Sequence, residues 1–171
     1  MKIAPLALLV FAVACQPPTL ELNVPFAAVN WSPADGTSGV CPTWPATVCF
    51  NEPVDPGSLG NFLIGQSADC DAGAPIASGG TVNASVERGD QAEDGGSPNC
   101  VVLTPPASGL QEDACYTIEV EGEDLHPGSG AAGVLPDGGA AVLPVTLRSI
   151  FKVAPSTEGC IAAPPSRDGG S

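Results

Sequence analysis

The chain predicts an all-β fold, an antiparallel β-sandwich of about seven strands stapled by disulfides. Three observations carry that expectation. Glycine and proline make up 40 of 171 residues and cluster between short apolar runs, the punctuation of short strands and tight turns. Tyr116, Ile118 and Val120 alternate with Thr117, Glu119 and Glu121, and Val48 and Phe50 with Thr47 and Cys49, which is strand periodicity with one polar face. No helix-length amphipathic stretch occurs between Pro17 and Ser171.

Residues 1–14 come first. Met1-Lys2 opens the chain, and Leu6 to Ala14 form an apolar run ending in the small residues Ala12-Val13-Ala14, just before Cys15. A basic start, a short apolar stretch and small residues before a cut form a secretory signal. Crossing a bilayer takes about 20 apolar residues, and here Pro17-Pro18 follow at once. The segment around Cys15 resembles the lipobox of bacterial lipoproteins. That resemblance implies cleavage before Cys15, a diacylglycerol on its sulfur and an acyl chain, such as palmitate, on the new amino group. Two or more chains hold firmly to a membrane where one holds only marginally. Residues 15–26 then form a tether stiffened by Pro17-Pro18.

The strands expected next are Ala27–Trp31, Gly39–Cys41, Ala46–Phe50, Asn61–Gly65, Thr81–Arg88, Cys100–Thr104, Cys115–Gly122 and Ala141–Val153. Asp35-Gly36 makes a turn in which glycine supplies the positive φ, and Glu52-Pro53 ends a strand because proline cannot donate to the ladder. These pieces stand in a telling order. Ser32-Pro33-Ala34-Asp35-Gly36 precedes Gly39-Val40; Val48-Cys49-Phe50-Asn51-Glu52-Pro53-Val54-Asp55 follows; Leu103-Thr104-Pro105 and Leu110 lie ahead of Tyr116. The combination resembles the bacterial Ig-like domain family, in the branch first associated with S-layer proteins, over residues 29–154. The resemblance implies an Ig-like sandwich, here bounded at 27–155, with Tyr116 at a tyrosine corner. The added cysteines and the glycine-rich insertions near 66–80 and 89–98 depart from the family pattern. Residues 156–171 are a polar, Pro/Gly-rich tail, expected to be flexible and pinned part way by Cys160.

Six cysteines remain besides Cys15: Cys41, Cys49, Cys70, Cys100, Cys115 and Cys160. An even number in an exported chain reads as three disulfides. Zinc is the competitor, but no C-x-x-C occurs and His126 is the single histidine. In the expected sandwich Cys49 and Cys115 point outward from opposite sheets, too far apart to be joined. Local pairing follows: Cys41–Cys49 across a hairpin, Cys70–Cys100 clipping the insertions, and Cys115–Cys160 between the last strands.

Charge and motif content narrow the function. Without residues 1–14, four basic residues face 19 acidic ones, a formal charge of −15, which excludes nucleic acid as a partner. No Gly-x-Ser-x-Gly, phosphate-binding loop or His-Glu-x-x-His is present. His126 lies in a loop, and Glu119 and Glu121 on a solvated strand face, so neither reads as catalytic. No cofactor or metal is expected. The reading is a non-catalytic, lipid-anchored cell-envelope protein whose module serves adhesion, envelope structure or protein–protein assembly. Gln16 after Cys15 points to the outer membrane of a Gram-negative bacterium. Its partners are the membrane, through the lipid, and an envelope or surface protein. The alternative is a calcium- or glycan-binding surface lipoprotein, using Asp69, Asp71, Asp90, Glu93 and Asp94 as oxygen ligands or Trp31 and Trp44 as a stacking platform.

Overall fold

The computed structural model describes residues 25–91, 97–136 and 138–162. They form eleven strands: β1 (Ala28–Ser32), β2 (Thr37–Val40), β3 (Ala46–Phe50), β4 (Phe62–Ser67), β5 (Ile76–Thr81), β6 (Ser85–Arg88), β7 (Cys100–Thr104), β8 (Cys115–Val120), β9 (Ala132–Val134), β10 (Ala140–Val142) and β11 (Leu147–Val153). One sheet has the order β1-β3-β7-β6, the other β2-β11-β8-β4-β5, and β9 and β10 make a separate hairpin. All pairs are antiparallel except β2 with β11. The predicted sandwich is present.

Alternation decides what lies between the sheets. Val48 and Phe50 from β3 and Val101 and Leu103 from β7 face Phe62 and Ile64 from β4, Ile118 and Val120 from β8, and Phe151 and Val153 from β11. Side chains that alternate on a strand share one face, so each run delivers two or three apolar groups to a common core. Phe50 stacks on Phe26 with ring centroids 4.5 Å apart and meets Phe62 edge-on at 5.8 Å. Phe26, at the end of the expected tether, is therefore a core residue, 3% exposed. Its ring lies over Gly133, where any side chain would collide with it.

Two long strands of the sequence reading are broken. Thr81–Arg88 divides at residues 82–84, where the chain crosses from the five-stranded sheet to the four-stranded one. Val82, Ala84 and Val86 keep strand periodicity through the crossing, so the pattern conceals the change of sheet. Ala141–Val153 divides at Pro144, which has no N–H to give a ladder.

The outer face of β8 is not solvated as expected. Every residue of β8 is buried; on its outer face the 68–75 segment meets Cys115 and Thr117. Thr117 Oγ1 donates to the Ala74 carbonyl at 2.9 Å, while Cys115 packs with Ala74 and Ile150. Glu119 is held by the Arg148 guanidinium from β11. Burial of both faces suits a strand with neighbours on both sides in the middle of a sheet.

Candidate functional site

The cysteines join into three disulfides, Cys41–Cys160, Cys49–Cys100 and Cys70–Cys115, so none of the three expected pairs forms. Cys41–Cys49 fails because β2 and β3 belong to opposite sheets and do not make a hairpin. Cys49 instead lies directly across the β3–β7 ladder from Cys100, with Cα atoms 4.0 Å apart. That takes Cys100 from Cys70, which bonds to Cys115 and fastens the 68–75 segment over β8. Cys115–Cys160 fails because the chain after β11 returns to the far side of β2, placing Cys160 within 5.0 Å of Cys41 between Cα atoms. The strand order, hidden from periodicity, settled each choice. Cys15 lies outside the described residues.

Ionisable groups are spread rather than convergent. His126 Nε2 sits 3.1 Å from Glu121 Oε2, with the imidazole half-exposed. The Asp124 carboxylate accepts from the Thr146 hydroxyl and backbone N–H, both at 2.7 Å. The hydroxyl bond, foremost, holds the Asp124 carboxyl below its ordinary value. Asp69 Oδ1 is occupied by the Asp71 N–H, and Asp90 pairs with Arg88 at 2.9 Å. Among the described residues, no three His, Cys, Asp or Glu side chains come together as metal ligands. Glu93 and Asp94 lie outside the described residues.

The aromatic residues are structural. Trp44, expected as half of a sugar-stacking platform, is 7% exposed in the core, and Trp31 is half-buried against the same cluster. A stacking platform needs an open ring face, so the pair cannot form one. Tyr116 forms the corner that the resemblance implied: its ring stacks on Phe151, and its hydroxyl accepts from the Gln111 N–H at 2.8 Å.

The Ser32–Gly36 turn has a sharper purpose than its composition announces. Asp35 Oδ1 accepts the Ile150 N–H at 2.8 Å, and the Gly36 N–H donates to the Ile150 carbonyl, also at 2.8 Å. The turn thereby docks onto β11, and Gly36 adopts φ +76° to reach it. Sequence reasoning identified the turn and missed its target. An open groove runs beside the sheet crossing, between Leu59, Phe62 and Ile64 on one side and Val82, Ala84 and Val86 on the other. No ionisable side chain lines it; its polar side chains are those of Thr81 and Asn83.

No protein-family model matches the chain, and no curated protein does. Three solved structures are loosely similar in their arrangement of strands. CopC from Methylosinus trichosporium OB3b aligns with a TM-score of 0.43 at 15% identity, over 75% of this chain and 93% of CopC. Domains 1–6 of the surface layer protein SbsC align at 0.45 and 16% identity, over 77% of this chain and 14% of that one. The N-terminal part of the bacterial S-layer protein SbsC aligns at 0.43 and 15% identity, over 77% and 24%. This chain thus spans only a small part of the S-layer chains that it matches, and the likeness is one of fold alone.

Proposed function

We propose that the chain is a non-catalytic cell-envelope lipoprotein, carried on an acylated Cys15, whose Ig-like sandwich serves adhesion, envelope structure or assembly with another surface protein. The observation that carries this reading is the complete pairing of Cys41, Cys49, Cys70, Cys100, Cys115 and Cys160. Three disulfides persist in oxidising compartments outside the cytoplasm, which agrees with the secretory signal read from residues 1–14. The lipobox-like segment supplies the attachment, and Gln16 favours the outer membrane of a Gram-negative host. The acidic surface keeps neighbouring copies apart and soluble, as suits a module held out from a membrane.

The test is metabolic labelling with an alkyne-bearing palmitate analogue during expression in a Gram-negative host. The native chain should take up label and fractionate with membranes, while Cys15→Ser should lose the label and retain its signal sequence. An unlabelled native chain recovered from the soluble fraction would overturn the lipoprotein reading. Thiol counting on the native protein should find no reactive sulfhydryl among the six paired cysteines; six would remove the compartment assignment.

A further inference from the structure

The four edges of the two sandwich sheets are protected in different ways. β5 bulges over Ala77–Gly80, between its pairings with Ser67 and Gly65. β1 is interrupted at Val29 and stops before Pro33. β6 has four residues, with Glu87 exposed, and runs into a 310 turn at Gly89. β2 has a neighbour of a different kind on its outer side. The Ile161 N–H donates to the Gly39 carbonyl at 2.8 Å, and the Cys41 N–H donates to the Ile161 carbonyl at 3.0 Å. Ile161 so forms a one-residue parallel bridge to Val40.

Beyond these two hydrogen bonds, the covalent bond is the main thing that keeps this segment in place. Residues 155–159 are exposed, and Ile161 remains 50% exposed, so burial contributes modestly. Cys160 fixes it to Cys41, the residue whose own N–H is covered. An uncovered strand edge displays unpaired N–H and C=O groups to any other chain. Main-chain pairing tolerates many sequences, and two copies of one edge can pair about a two-fold axis, each satisfying the other.

We infer that residues 159–162 are an edge guard, locked by Cys41–Cys160, occupying the β2 edge that a second copy of this chain would otherwise extend. The copy is the favoured occupant because it brings the same edge, with the same vacated Gly39 carbonyl and residue-41 N–H, in self-complementary form. Net charge −14 opposes that association, so it must be sought with salt present to screen the repulsion.

Three full-domain proteins test this: the native chain, a Cys41→Ser/Cys160→Ser chain, and a Cys41→Ser chain truncated after Ser156. Amide exchange at residue 41 and light-scattering mass across a hundredfold concentration range are read at about 0.3 M salt, with near-ultraviolet circular dichroism reporting the fold. The native chain should be monomeric with a protected residue-41 amide. The double variant should exchange that amide at least about tenfold faster, and the truncated chain should dimerise increasingly with concentration while keeping its fold. A folded, truncated chain that stays monomeric would overturn the inference. Should the truncated chain unfold, native-like protection of residue 41 in the double variant would overturn it instead.

Discussion

Removing the Cys49–Cys100 bridge, as Cys49→Ala with Cys100→Ala, tests both the pairing and what holds the fold together. The bond closes a loop of 51 residues. In the chain-entropy picture a loop of that length restricts the unfolded ensemble by about 4 kcal/mol at 25 °C, the upper end of the usual 2–4 kcal/mol range. Both cysteines are half-buried on the outer face of the four-stranded sheet, so replacing sulfur with methyl forfeits little packing. The expected loss is about 3–4 kcal/mol, a large share of the 5–15 kcal/mol typical of a domain. For a domain of this size that corresponds to a fall in Tm of roughly 10 °C. Urea unfolding gives the free energy, and its slope should steepen as the released unfolded chain exposes more surface. A loss below about 1 kcal/mol would refute the reasoning. The pairing itself is read by non-reducing cleavage before aspartates. Residues 35–54 should emerge joined to both 94–112 and 137–167, and Asp69-Cys70 joined to 113–123. Recovery of 35–54 alone, with Asp69-Cys70 joined to 94–112, would restore the pairing expected from sequence.

Further outcomes follow from single groups. Tyr116→Phe removes the acceptor of the Gln111 N–H and keeps the ring stack on Phe151; it should cost about 1–2 kcal/mol in urea unfolding, against about 3–5 kcal/mol for Tyr116→Ala. Asp35→Ala leaves the Ile150 N–H without its acceptor and loosens the turn on β11, for a loss of about 1–2 kcal/mol and faster amide exchange at Ile150. Because the folded Asp124 carboxyl is depressed, its stabilising contribution is complete above the ordinary value of 3.8 and disappears as pH falls through the lowered folded value. Asp124→Asn should accordingly flatten that acid limb of the stability profile, measured by urea midpoints between pH 2 and 6.

The residues that face the core were legible because a period of two is written into the sequence. Val48, Phe50, Tyr116, Ile118 and Val120 fall where alternation puts them. Strand order was not legible, since the same alternation serves either sheet; Val82 and Ala84 continue a strand pattern while the chain changes sides. The cysteine pairs inherited that blindness. A disulfide depends on which strands are neighbours, and Cys49 meets Cys100 only because β3 and β7 are adjacent. Thr117 and Glu119 misled for a related reason: a polar outward face reads as solvated until other groups meet it, here Ala74 at Thr117 and the Arg148 guanidinium at Glu119. At the candidate sites, Trp44 looked available in sequence because an aromatic residue flanked by Thr43 and Pro45 carries no sign of its burial.

The positions of Phe26 and Cys160 bear on mechanical strength. Phe26 enters beside Phe50, at the end of β3, whereas the Cys41–Cys160 bond lies near Trp44, ahead of its start. Tension applied between the N-terminal lead and the C-terminal tail would run through residues 25–41, cross the sulfur bridge and leave through residues 161 and 162. Everything from residue 42 to 159 forms a closed ring outside that route. Stretching could peel β1 and β2 away, but it could not unravel the remaining strands until a covalent bond gave way.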